Sequence, residues 1–176
     1  MSEIASDDMG PWLSPEELEF VRRKVPILYV DIVPIHLNDL GELDSVGLLL
    51  TAGDDGISRS IVSGRVLFHE SIHDALTRHI EKDLGLMALP QLPPVLAPIT
   101  IGEYFPTPGE KLYDSRQHAV SLVYAIPMAG DCAPESDALE FSWFTPAEVL
   151  TRELQAEMLP SHAQILRRVL AQLGHV

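Results

Sequence analysis

The chain is poor in cysteine, in positive charge and in aromatic rings, and it has no long apolar run. Its one cysteine, Cys132, is alone among 176 residues. No internal disulfide is available, so the fold rests on packing. Twelve Lys and Arg against 26 Asp and Glu give a formal charge of -14. A field of that sign repels phosphate backbones and excludes general nucleic-acid binding, while leaving room for a small anion held by local cations. No apolar run approaches the roughly 20 residues of a membrane span; the richest, Val46–Leu50, is strand-sized. Residues Met1 to Asp8 are acidic and lack the basic and apolar regions of a secretory signal. A cytoplasmic location without membrane contact is therefore expected. No Gly-rich phosphate loop and no Ser-His-Asp arrangement stands out. What is abundant is apolar side chain, 46% of the residues, enough to build a core and to exclude a wholly disordered chain.

The length suits one domain, expected over 14–176 behind an acidic tail at 1–13. Ser14-Pro15-Glu16-Glu17 is a capping box and predicts a helix from Pro15 to about Lys24. Ile27 to Leu37 is rich in β-branched residues and reads as a strand interrupted at Pro34. Strands are also expected at Ser45–Ala52 and Ile57–Val62, joined by a turn at Gly53-Asp54-Asp55-Gly56. A helix follows over Glu70–Leu84, closed by Gly85. Six of the 14 prolines fall in residues 90–108, which read as an extended loop with a short strand near Ile99–Phe105. Ala119–Ile126 and Leu139–Phe144 are strands, Thr145-Pro146-Ala147-Glu148 is a second capping box, and Ser161–Leu173 is an amphipathic helix. The class is α/β: a mixed sheet covered by helices.

The chemistry-bearing segment is Gly64–Leu86, GRVLFHESIHDALTRHIEKDLGL. On a helical wheel, at about 100° per residue, Glu70, Asp74, Arg78 and Glu81 share a polar face. Ile72, Ala75, Leu76 and Ile80 form the apolar face, with Lys82 at its edge. His79 and Asp83, spaced i and i+4, interrupt that apolar face. Such a pair either satisfies itself at a core margin or points into a ligand or metal cavity.

The spacing of Gly64, Glu70, Arg78, Ile80, Gly85 and Leu86 resembles the Nudix box: Gly, five residues, Glu, seven, Arg-Glu-apolar-any-Glu-Glu-any-Gly-apolar. The chain is similar to a divergent, actinobacterial-type member of the Nudix hydrolase superfamily. Residues 140–148 and the terminal helix resemble the segments that follow the box in that family. The resemblance implies a Nudix-like α/β/α sandwich with a mixed sheet. It also implies metal-assisted cleavage, by water, of a diphosphate bond in a nucleoside diphosphate linked to another moiety. Its ligand would be a small phosphorylated or nucleotide-like molecule, and a homodimer would be in keeping with the family. The alternative is a nucleotide-binding or regulatory module that has lost hydrolysis.

Three family glutamates are replaced here by His79, Lys82 and Asp83. Their formal charge falls from -3 to 0 (neutral, +1, -1), so a magnesium or manganese site is expected to be weakened or lost. By resemblance Asp83 becomes the main metal ligand and His79 an auxiliary ligand or base. Lys82 would stabilise phosphate charge, with Arg65 as a second phosphate-binding candidate. Glu140, or Glu135 and Asp137, could add a carboxylate from elsewhere. Gly64, Glu70, Arg78 and Gly85 would be structural, Glu70 and Arg78 bracing loop against helix. A rival motif, His69-Glu70-Ser71-Ile72-His73, spells the zinc-protease H-E-x-x-H. It requires both histidines on one helix face and a third ligand, and none is evident.

Overall fold

A computed structural model describes residues 12–53, 56–134 and 138–175. Helix α1 (Pro15–Arg22) comes first, followed by strands β1 (Ile27–Leu37), β2 (Leu43–Gly53), β3 (Gly56–Ser60) and β4 (Val62–Arg65). Then come helix α2 (Ile72–Leu84) and strands β5 (Thr100–Tyr104), β6 (Ala119–Pro127) and β7 (Ala138–Phe144). Helices α3 (Pro146–Val149), α4 (Arg152–Glu157) and α5 (Pro160–Gln172) close the chain. Both capping boxes form, Ser14 with Glu17 and Thr145 with Glu148. Most of the acidic tail, and the centre of the turn after β2, lie outside the described residues. Among the described residues no helix is long and apolar enough to cross a membrane.

The described strands form one seven-stranded mixed sheet. β1 lies at its centre. Along one edge it pairs in parallel with β6, from Ile27 opposite Ala119 to Ile35 opposite Pro127. Its other edge is shared by two strands. β4 covers Tyr29–Ile32, and β2 takes over at Ile35. Pro34 was expected to interrupt β1 and does not. Ile27 N donates to His118 O on the β6 side, and Leu28 O accepts from Val66 N on the other. Even-numbered residues thus turn their backbone groups away from β6. Pro34, which has no N–H to donate, falls in the interval between β4 and β2.

The expected strand at 57–62 is two strands. β3 pairs with β2, the chain switches partner at Ile61, and β4 pairs with β1. The sheet therefore splits where Ile61 crosses, and this split positions the site. Side chains alternate across the sheet. Val30, Ile32, Val62, Tyr124 and Ile126 pack with Ala75, Leu76, Ile80 and Leu84 of α2. On the opposite face Val33, Ile35, Val46, Leu48 and Val123 pack with Ile165, Leu166, Val169 and Leu170 of α5. The result is the expected α/β/α sandwich. α4, capped by Thr151, was not anticipated.

Candidate functional site

The loop before α2 is strapped to the helix by charge. Glu70 lies before the helix, because Ser71 takes the N-cap and accepts from Asp74 N. The Glu70 carboxylate receives Arg78 Nε at 2.6 Å and Arg78 Nη2 at 2.8 Å. Leu67 N donates to the same carboxylate at 2.8 Å. Arg78 Nη2 also donates to Arg65 O at 2.9 Å, which joins loop, helix and β4 at one guanidinium. The Arg78 hydrogen bond holds the Glu70 carboxyl below its ordinary value. His69 lies in this loop in the left-handed region, at φ 62°. It shares no helix face with His73, so the H-E-x-x-H reading has no geometric basis.

His79 belongs to the same fastening. Its ring rests directly on Gly64, where a Cβ would come within 1.8 Å of its Cε1. It is 6% exposed, and its Nε2 lies 3.0 Å from Arg65 O. Burial depresses its pKa, which favours the neutral ring with Nε2–H donating to that carbonyl. The expected pairing of His79 with Asp83 at one cavity is therefore not what the structure brings together.

One turn further on, Asp83 and Lys82 do reach a cavity. It has a volume of about 220 Å³ and opens at the split between β4 and β3, with Ser60, Ile61, Ser63 and Thr51 on its sheet side and Leu159 and His162 on its helix side. The Asp83 side chain is 16% exposed, and Lys82 Nζ lies 3.5 Å from its Oδ1. Arg65 sits on β4 but does not line this cavity. Glu140 on β7 also stays outside it. Its carboxylate accepts from Ser142 Oγ, lies 3.9 Å from Arg59 Nη1 and is 52% exposed. Glu135 and Asp137 lie outside the described residues.

Magnesium and manganese require several oxygen donors. Here Asp83 is the sole acid among the cavity's described lining residues, and it already faces an ammonium group. Among the described residues no three His, Cys, Asp or Glu side chains gather to share an ion. The described residues therefore do not fit a resident divalent cation.

A buried carboxylate behind Ser63, outside the lining of this cavity, carries no spacing signal in the sequence. Asp31, at the centre of β1 and 1% exposed, accepts from Ser63 Oγ at 2.6 Å and from Tyr104 Oη at 2.8 Å. Burial, reinforced by Asp31, raises the Tyr104 pKa well beyond its ordinary range, so its hydroxyl stays protonated as a donor. A smaller cavity of about 70 Å³ lies beside this group and is lined also by Asp114, Arg116 and His162. Ser63 and His162 border both cavities. The available clue was Asp31 itself, one carboxylate inside the β-branched run ILYVDIV.

A mixed sheet between two helical layers, with the box's loop and helix strapped by Glu70 and Arg78, defines the class: this chain is a divergent member of the Nudix superfamily. More narrowly, residues 8–175 match the family model described as Domain of unknown function (DUF4916), and the chain belongs to that family. It is similar to a Jonesia denitrificans protein whose crystal structure is described as that of a possible asymmetric diadenosine tetraphosphate (Ap4A) hydrolase. The identity is 47%, over 86% of this chain and 97% of that one, with a TM-score of 0.83. The Nudix domain of Shewanella oneidensis NrtR, solved with ADP-ribose, is 19% identical over 85% of this chain and 90% of that one, with a TM-score of 0.60. A MutT protein from Methanosarcina mazei is 13% identical over 84% of this chain and 96% of that one, with a TM-score of 0.58. These last two show the shared fold alone. No curated protein matches the sequence.

Proposed function

We propose that the protein hydrolyses a diphosphate bond in a nucleoside diphosphate linked to a further moiety, dinucleoside polyphosphates and ADP-ribose derivatives being the first classes to test. The observation that carries this reading is the cavity at the split of the sheet, to which the box contributes Lys82 and Asp83 at 3.5 Å from each other. The Lys82 ammonium supplies positive charge to the phosphate oxygens as negative charge grows in the transition state. Asp83, beside it, accepts a hydrogen bond from the attacking water and orients it. Ser63, which lines the cavity, spends its hydroxyl proton on Asp31 and is left there as an acceptor. The Jonesia denitrificans relative, described as a possible asymmetric Ap4A hydrolase, supports the choice of substrate class.

The test is a panel of Ap4A, ADP-ribose and nucleoside diphosphate sugars, each assayed with magnesium, with manganese and with chelator. Turnover of at least one compound is expected, and Asp83→Ala should lower its kcat at least tenfold. A wild type that turns over nothing beyond the Asp83→Ala level overturns the reading. A second reading, a nucleotide-binding module without hydrolysis, is favoured by the lost acidic cluster. It predicts a raised melting temperature with a ligand that is recovered intact.

A further inference from the structure

We propose that His162, at the start of α5 and outside the Nudix box, is the proton acceptor for the attacking water, assisted by the buried Asp31 carboxylate. This inference rests on the hydrolase reading above. Two of the three box carboxylates are replaced, the third, Asp83, faces the Lys82 ammonium, and His79 is sealed against Gly64 with its Nε2 engaged by Arg65 O. His162 is the imidazole that lines the same cavity as Lys82 and Asp83. It also lines the smaller cavity beside Asp31, so it stands between the box residues and the buried carboxylate. Its Nδ1 is buried without a hydrogen-bond partner. A buried polar atom left unpaired costs stability; His79 Nδ1 is unpaired as well, but His162 differs from it in lining the cavity that holds Lys82 and Asp83.

The titratable and charged groups that share the two cavities with His162 come from several elements: Tyr29 and Asp31 on β1, Lys82 and Asp83 on α2, Tyr104 on β5, and Asp114 and Arg116 in the loop before β6, with the Ser63 hydroxyl on β4 beside them. Burial lowers the imidazole pKa, and Asp31 opposes that shift. The free ring is thus neutral near pH 7 and able to accept a proton, while Asp31 stabilises the imidazolium that forms. In the step, the water oxygen bonds to one phosphorus and one water proton passes to the imidazole. The bond from that phosphorus to the bridging oxygen breaks, and its electron pair stays on the departing phosphate. The imidazolium then returns its proton to solvent. Ser63 and Tyr104 both donate to Asp31 and hold its carboxylate in place beside the ring.

The experiment compares wild type, His162→Gln and His162→Ala on whichever panel compound turns over. General-base loss predicts a kcat fall of about 100-fold or more with KM within about threefold. The acidic limb of the wild-type pH–rate profile should disappear in His162→Gln. Added imidazole should restore part of the kcat of His162→Ala and leave His162→Gln unaffected, a rescue that a purely structural role would not produce. Melting curves establish that each variant is folded, and the alanine rescue supplies the answer if the glutamine variant is not. An active wild type whose His162→Gln variant keeps its kcat and its acidic limb, or a His162→Ala variant without imidazole rescue, overturns the inference and leaves the hydrolase reading standing. A wild type inactive on the whole panel overturns both.

Discussion

Replacing Gly64 by alanine tests the fastening between β4 and α2. The added Cβ would stand 1.8 Å from His79 Cε1, 2.2 Å from Nε2 and 2.3 Å from Nδ1. Carbon atoms in contact settle at about 3.5–4.0 Å, so the ring must move by well over an ångström or β4 must lift from the helix. Neither movement is easy. The ring is 6% exposed, among Ala75, Leu76 and Ile80 of the same buried face. Gly64 is meanwhile held opposite Val30 in the β1–β4 ladder. Overpacking a filled core costs about 1–3 kcal/mol, and the displaced ring forfeits its bond to Arg65 O, worth about 1 kcal/mol. The sum is about 2–4 kcal/mol. For a domain of this size it lowers Tm by about 5–15 °C. Thermal denaturation followed by circular dichroism measures it directly. A double-mutant cycle then isolates the cause. In Gly64→Ala/His79→Ala the ring is gone and the methyl has space, so the second substitution should recover about 1–2 kcal/mol relative to additivity. A Gly64→Ala protein that melts within about 1 °C of wild type would refute the reasoning, as would strictly additive costs in the cycle.

Two further perturbations follow from the titrating groups. The Glu70 carboxyl is held below its ordinary value of 4.5 chiefly by the Arg78 hydrogen bond. Its contribution to stability is complete above that value and is lost as pH falls through the depressed native value. The Tm gap between wild type and Arg78→Met should accordingly narrow as pH drops from about 6 to about 3, and a constant gap would count against the strap. Burial, with Asp131 adding to it, pushes the Cys132 thiol up to about 11. A thiol reagent at neutral pH should therefore label the native protein slowly and the unfolded protein fast; rapid native labelling contradicts that environment.

Much of the framework was legible because it is set locally. Ser14-Glu17 and Thr145-Glu148 are reciprocal caps complete within four residues, and both form. Gly85 closes α2 at φ 84°, where a Cβ would be strained. The β-branched content of Ile27–Leu37 and Ala119–Pro127 marks the two strands that build the centre of the sheet. The misreadings concern pairing at a distance. Nothing within residues 56–65 signals that the chain leaves β2 for β1 at Ile61. Pro34 reads as a breaker unless the interval between β4 and β2 is known. The helix begins at Ile72 because Ser71 caps it and Arg78 draws Glu70 into the loop; a wheel that starts from Glu70 does not include that competition.

The site was half legible for the same reason. Periodicity places His79 and Asp83 on the sheet-facing side of α2, and that placement holds for both. What it lacks is the surface opposite. Gly64 offers His79 a flat backbone against which to seal, whereas one turn on, the sheet has split and Asp83 meets an opening. Two positions with the same spacing and the same helical face thus acquire opposite environments, one dry and one open, from the partner switch at Ile61. Asp31 and His162 escape pattern reading altogether. They come from the central strand and the last helix, and no spacing rule links a strand residue to a helix residue across a fold. A carboxylate in a run of β-branched residues is nonetheless costly to bury without partners. That cost is the sequence-level sign that Asp31 must be met by donors, here Ser63 and Tyr104.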